Sequence, residues 1–346
     1  MRVVDFHSDT RTLPTREMRR AMAEAEVGDD VSREDPTVNR LEEMAAERLG
    51  KEAALFVSSG TQGNLVSILT HCQRGDEIIV GESTHIFRGE AGGASALGGI
   101  AYHTLRNDER GMLDPDEVAA AVKPANVHYP HTALVALENT HNSCGGVPLT
   151  AEYTEVIADV AHAHDLVLHI DGARIFNASV YLETPVSELV KDADSVSFCL
   201  SKGLGCPVGS VICGTNEFID RARFWRKMVG GGMRQVGIIA AAGIVALESM
   251  VTRLAEDHSN ARRLADGLSR IPGISIDPDS LPTNLVFFDI TAGDPGELAR
   301  RLEERGIKGG GPQRRWRFVT RHGIVGDDIA YALDVMESTF KEYAAA

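Results

Sequence analysis

Asp194-Ser195-Val196-Ser197-Phe198-Cys199-Leu200-Ser201-Lys202-Gly203-Leu204-Gly205 is a short apolar strand that ends in a single lysine held between serine and glycine. Alternating Val196, Phe198 and Leu200 place the strand in a packed interior. The Gly203 and Gly205 bracket forces a loop at its end, so the lysine emerges where a buried sheet meets a cleft. A partly desolvated ammonium is costly, so such a site favours the neutral amine, the form that attacks a carbonyl. Lys202 is therefore read as an imine-forming lysine, against the plainer reading of a solvated loop lysine.

Working outward, the chain from residue 53 alternates short apolar runs with helical or loop segments. The runs are 53–57, 77–80, 100–105, 133–137, 166–170, 195–200 and 209–213. Most have the composition of strands buried on both faces, and their spacing leaves room for crossovers. This predicts an α/β fold with a seven-stranded, mainly parallel sheet and helices on both faces. The last two runs are too close for a helical crossover, so 209–213 is expected to run antiparallel. Upstream, Pro36 through Leu49 reads as an amphipathic helix with Val38, Leu41, Met44, Ala45 and Leu49 on one face, Asp35 as cap and Gly50 as stop. Beyond a helical stretch from about 234 to 270, strands near 284–290 and 315–320 and helices near 295–305 and 327–343 form a small C-terminal α+β domain. The expected division is 1–20 as an N-terminal segment contributing to the active site, 21–250 as the large domain and 251–346 as the small one.

Composition narrows the function classes. The 346 residues carry 35 Lys and Arg against 50 Asp and Glu, a net charge of −15, with the acids scattered. That argues against nucleic acid or an anionic membrane as partner. The start lacks an apolar signal segment, and the longest apolar run, 236–247, is too short to span a bilayer, so a cytoplasmic protein is expected. Five cysteines with no C-x-x-C spacing signal neither a disulfide framework nor a zinc site, and no metal is expected.

Open α/β sheets bind ligands beyond the carboxyl ends of their strands, so chemistry is sought directly after each run. Ser58-Ser59-Gly60-Thr61-Gln62-Gly63-Asn64 turns from a strand into a helix whose N-terminus, with the Ser59 and Thr61 hydroxyls, suits a phosphate. A plain Ser/Thr helix cap is the alternative. Asp171, closing Leu168-His169-Ile170-Asp171, needs a cationic partner, either Arg174 or a ligand nitrogen. In order, a phosphate turn, a strand-end aspartate and a strand-end lysine fit one cofactor, pyridoxal 5′-phosphate. The lysine takes its aldehyde, the aspartate keeps its ring nitrogen protonated, and the helix end holds its phosphate.

The sequence resembles the low-specificity L-threonine aldolases, fold-type I pyridoxal-phosphate enzymes of the β-eliminating lyase superfamily, over nearly its whole length. The resemblance rests on Ser8-Asp9-Thr10, Val27 to Asp30, Asp35 to Val38, Gly60-Thr61-Gln62, Glu90 to Gly93, Glu138 to Asn142, His169 to Asn177, Ser201 to Gly209 and Arg226 to Gln235. It implies an aspartate-aminotransferase-like fold and retro-aldol cleavage of L-threonine, L-allo-threonine and related β-hydroxy-α-amino acids to glycine and an aldehyde. A phenylserine aldolase or another β-eliminating lyase on the same fold is the alternative. It further implies Lys202 as the Schiff-base lysine, Asp171 as the ring-nitrogen partner, Ser59, Gly60 and Thr61 at the phosphate and His85 stacked on the ring. Ser8, Arg174 and Arg317 would bind the substrate carboxylate, with Arg174 also facing the cofactor, and His85 or His128 would act at the β-hydroxyl. Lys227 and Arg234 would reach a neighbouring subunit's phosphate, in at least a homodimer and by expectation a homotetramer. The usual Arg-Ser-Asp-Thr of the family stands here as His7-Ser8-Asp9-Thr10, and Ile86 to Gly89 departs from it as well, so substrate scope and threo/erythro preference stay open.

Overall fold

A computed structural model describes residues 2–345. In chain order its strands are β1 (Val4–Asp5), β2 (Ala53–Val57), β3 (Glu77–Gly81), β4 (Ala101–Leu105), β5 (Thr132–Glu138), β6 (Val167–Asp171), β7 (Ser195–Cys199), β8 (Ser210–Gly214), β9 (Ile274–Ser275), β10 (Leu285–Ile290), β11 (Ile307–Lys308) and β12 (Arg315–Val319). The chain forms two compact units, one of residues 14–251 and one that joins the residues up to Leu13 with those from Thr252 onward.

The large unit is built on a seven-stranded sheet of order β2-β8-β7-β6-β5-β3-β4. Strands β3 to β7 pair in parallel, and β8 runs antiparallel to both β7 and β2. The antiparallel strand follows from the short link after Cys199, which has no room for a crossover helix. Strands β3, β5, β7 and β8 are buried along their whole length. β4 is the exception: it pairs only with β3, and none of its five residues is fully buried, as expected for an edge. Leu55, Val57 and Ile212 pack with Val66, Phe218, Ile219 and Ala222 beneath the helices Gly60–His71 and Asn216–Met228.

The helix Pro36–Leu49 lies against β2 and β8, with Val38, Leu41, Met44, Ala45 and Leu49 buried and Gly50 in the left-handed region at φ 63°. Asp35 has a double role there. Its Oδ1 accepts the N–H groups of Thr37 and Val38 at 3.1 and 3.0 Å, capping the helix, while Oδ2 accepts the Gly237 N–H at 2.9 Å. A Cβ on Gly237 would lie 2.3 Å from that carboxylate, so glycine is what allows the approach. The run 236–247, read as a buried helix, forms Gly237–Val245 and continues as a wider turn over Ala246–Met250, with Ile238 exposed. Among the described residues no single helix is long and apolar enough to cross a membrane. The helix Arg16–Glu24, capped by Thr15, was not legible in the sequence, because Met18 is its one buried residue and an apolar period is missing.

The small unit holds a three-stranded antiparallel sheet, β12-β10-β9, and a parallel pair of β1 with β11. Phe6 stacks on Phe318 at 4.9 Å between centroids, inside a core that includes Leu264, Phe288, Trp316 and Met336. Its helices Pro295–Glu304 and Gly326–Ala344 and its strands β10 and β12 fall where the apolar pattern put them.

Replacing Asp35 by alanine removes a helix cap and leaves the buried Gly237 N–H unpaired. The two losses sum to about 2–4 kcal/mol, so the urea midpoint of purified Asp35→Ala should fall clearly below that of the parent with little change in slope.

Candidate active site

Parallel pairing brings the carboxyl ends of β5, β6 and β7 side by side. Glu138 is the register partner of Asp171, and Asp171 that of Ser197. Two carboxylates on neighbouring strand ends would repel, so the structure surrounds them with donors. Asp171 Oδ2 accepts from Asn64 Nδ2 at 2.9 Å and Oδ1 from the Ala173 N–H at 3.2 Å. Glu138 accepts the backbone N–H groups of His85 at 2.6 Å and Asn142 at 2.8 Å. Asn142 Oδ1 in turn accepts from Arg174 Nη1 at 3.2 Å, so Glu138 ties the position of His85 to that of Arg174. Burial, with Asp171 adding its repulsion, pushes the Glu138 carboxyl up to about 7.

His85 opens a one-turn helix after β3, and its Nδ1 lies 3.0 Å from Glu90 Oε1. The hydrogen bond to Glu90 raises the imidazole's pKa above its ordinary value, Asp171 adds to that, and Lys202 opposes it. These effects place Lys202 and Asp171 within electrostatic reach of the same ring. Gly89 leaves space for the ring, since a Cβ there would lie 2.6 Å from His85 Cδ2. Glu90 also accepts from Asn64 Nδ2 at 2.8 Å, and burial raises its pKa.

Lys202 lies half-buried three residues past the end of β7, in a tight turn closed by the Gly205 N–H on the Lys202 carbonyl at 2.9 Å. The left-handed φ of 80° at Gly205 makes that turn. Of the other lysines in the large unit, Lys51 is held by the carbonyls of Lys191 and Ala193, Lys123 by Glu77 and Lys191 by Glu155 and Asp192, while Lys227 is exposed. The Ser59 hydroxyl caps the helix Gly60–His71 by accepting the Gln62 N–H at 3.1 Å. A helix start leaves the N–H groups of Gly60 and Thr61 outside the helical ladder. Gly60 abuts the end of β7, where a Cβ would lie 2.9 Å from Cys199 Sγ.

The sequence-derived residues fall into three sets. Lys202, Asp171, His85, Arg174, Ser59, Gly60 and Thr61 stand on or beside the strand ends of the large unit. His128 and Lys227 are exposed, and Arg234 pairs with Asp29 at 2.8 Å. Among the described residues no contact joins His128 to the cluster around Asp171; its N–H donates to Asn126 Oδ1. Ser8 and Arg317 belong to the small unit, where Ser8 Oγ accepts from the Thr10 N–H and Arg317 donates to the His7 carbonyl. Sequence reasoning missed Asn64, Glu90, Glu138 and His169 as members of the cluster. Glu138 had the same signal as Asp171, an acid closing an apolar run; Glu90 opened one of the motifs behind the resemblance, but nothing in the pattern marked it as part of the site.

A family model described as beta-eliminating lyase matches residues 5–291. The chain belongs to this family. It is 48% identical over 344 residues to low-specificity L-threonine aldolase 1 of Arabidopsis thaliana, covering 97% of this chain and 96% of that one. It is 46% identical over 305 residues to the low specificity L-threonine aldolase of Escherichia coli (strain K12), covering 88% and 90%. Within the beta-eliminating lyases it therefore groups with the low-specificity L-threonine aldolases, carbon–carbon lyases. The fold agrees with that of Leishmania major threonine aldolase, at a TM-score of 0.84 and 19% identity over 97% of this chain and 99% of that one.

The charge around Asp171 bears on what this beta-eliminating lyase can hold. Glu90, Glu138 and Asp171 are 7%, 3% and 3% exposed, and among the described residues His85 is the one imidazole bonded to any of them, through Glu90. Buried carboxylates in this number call for a further cationic donor, the role a protonated pyridine nitrogen fills. Ligand atoms of His85, Glu90 and Asp171 also lie within 4.8 Å of one another, close enough for a metal ion. The Asn64 amide nitrogen already bridges two of those carboxylates, which favours N–H donors over a metal.

Glu138 carries a raised native pKa, so it stabilises the fold most below its unfolded value near 4.3 and loses that contribution as pH rises through about 7. In cofactor-free protein, Glu138→Gln should flatten the fall in stability across that window. Parallel stability–pH curves for parent and variant would contradict this assignment.

Proposed function

We propose that the protein is a pyridoxal 5′-phosphate-dependent aldolase that cleaves L-threonine, L-allo-threonine and related β-hydroxy-α-amino acids to glycine and an aldehyde. The observation that carries the reading is the gathering of Lys202, Asp171, His85 and the Gly60 helix start at one edge of one sheet. The matched relatives named threonine aldolases support it.

Lys202 would carry the cofactor through its amine, Asp171 would face the ring nitrogen, His85 the ring, and Ser59, Gly60 and Thr61 the phosphate. When bound, the cofactor supplies an electron sink for the pair left on the substrate's Cα. The chain's own residues do the rest. Arg174, buried and steadied by Asn142, offers a planar guanidinium for the α-carboxylate, and so sets which bond at Cα faces the sink. The β-hydroxyl proton leaves to a base, a role the resemblance offers to His85 or His128, directly or through water; of the two, His85 is the one bonded into the cluster around Asp171. The Cα–Cβ bond breaks, the aldehyde departs and Cα takes a proton to give glycine. Glu90, bonded to His85 Nδ1, keeps that ring oriented throughout.

The reading includes at least a homodimer, and by resemblance a homotetramer, with Lys227 and Arg234 near a neighbouring subunit's phosphate. Phe224 and Met228, four residues apart on one helix, are 63% and 59% exposed, an apolar stripe suited to a subunit contact.

Lys202→Ala should lower glycine release from L-threonine by about a thousandfold or more, a scale set by loss of a covalent participant. Assays with L-threonine, L-allo-threonine and phenylserine define the side-chain range. Pyruvate and ammonia from serine, with no glycine from any of the three, would overturn the aldolase reading in favour of β-elimination.

A further inference from the structure

Behind Asp171 runs a buried polar chain with a direction. Asn64 Nδ2 lies 2.9 Å from Asp171 Oδ2 and 2.8 Å from Glu90 Oε1. Carboxylate oxygens accept, so the amide N–H groups face them and Oδ1 faces the other way. That oxygen lies 2.7 Å from Ser197 Oγ and 3.2 Å from His169 Nε2, and both must therefore donate to it. With its hydrogen on Nε2, the His169 ring has a bare Nδ1, which accepts the Ser195 hydroxyl at 2.8 Å. Ser195 Oγ, its hydrogen used, accepts from His71 Nε2 at 2.8 Å.

Every link points the same way, from His71 through Ser195, His169 and Asn64 to Asp171. The order needs one N–H on each imidazole. Burial supplies that condition, pushing His169 down to about 4 and His71 to about 3, so both rings are neutral near pH 7. Asn64 and Ser197 are 1% exposed, and His169 and Ser195 fully buried, so water is not at hand to substitute for a lost partner. A flipped Asn64 would set its carbonyl oxygen against two carboxylates.

We propose that His169 and Asn64 are positioning residues for the reaction: the donor chain from His71 locks the Asn64 amide so that Asp171 is held as the anionic acceptor for the cofactor's ring nitrogen. The proposal rests on the reading of Asp171 given above. A polar core that only fills space would affect folding alone; this chain also sets how strongly Asp171 holds the ring.

The test uses the geometry of the imidazole. A glutamine amide nitrogen reaches the place of Nε2 and can donate to Asn64; an asparagine amide reaches only the place of Nδ1. Titration of apoprotein with pyridoxal 5′-phosphate should leave His169→Gln within about threefold of the parent and weaken His169→Asn by about tenfold or more, the scale of one buried hydrogen bond. His169→Asn should also lower kcat with little change in KM for threonine, while the two variants unfold at similar temperatures. Nitrogen NMR of the apoprotein should show His169 protonated at Nε2. Equal cofactor affinities for the two variants, or a proton on Nδ1, would overturn the chain. Asp171→Asn separates the two claims: retained cofactor affinity there sinks the reading of Asp171 itself, whereas lost affinity there with equal His169 variants sinks only the chain.

Discussion

Burying Asp171 beside Glu138 is the constraint on which the site depends. Parallel register sets the two acids opposite one another at the ends of β6 and β5. Charge so placed is tolerated only if every oxygen finds a donor, because an isolated buried carboxylate is far too costly. The donors come from well-separated parts of the large unit: Asn64 from the helix after β2, His85 from the turn after β3, Asn142 from the loop after β5 and Ala173 from the turn after β6. The same bonds that offset the charge hold the backbone of His85 and Asn142 in place.

The acids organise the site by holding its other residues. Glu138 couples His85 to the Asn142–Arg174 pair, so the imidazole and the guanidinium share one anchor. Glu90 holds the other side of the His85 ring. The glycines serve close approach: Gly60 lets the helix start meet the end of β7, and Gly237 lets Asp35 fasten two helices. Rigidity here comes from satisfied buried polar groups as much as from apolar packing.

The sheet was legible in the sequence because its strands are short, apolar and regularly spaced, and the antiparallel turn at β8 followed from the length of one connection. Lys202, Asp171 and Gly60 were legible because each breaks an apolar run at a strand end. Asn64 and His169 were not, since a polar residue inside a helix or strand carries no mark of what lies opposite it until the strands are in register. Glu90 was hidden for another reason: the loop that carries it has no period. The edge strand β4 and the helix Arg16–Glu24 lay near the limit of pattern reading, having few buried residues to mark them.

The central claim is that the lysine at the end of β7 is the one that bonds the cofactor. Reduction of the pyridoxal 5′-phosphate-loaded protein with borohydride, followed by peptide mapping, tests it directly. The account predicts the reduced cofactor on Lys202. Its appearance on Lys227 or another lysine, with Lys202 unmodified, would contradict it.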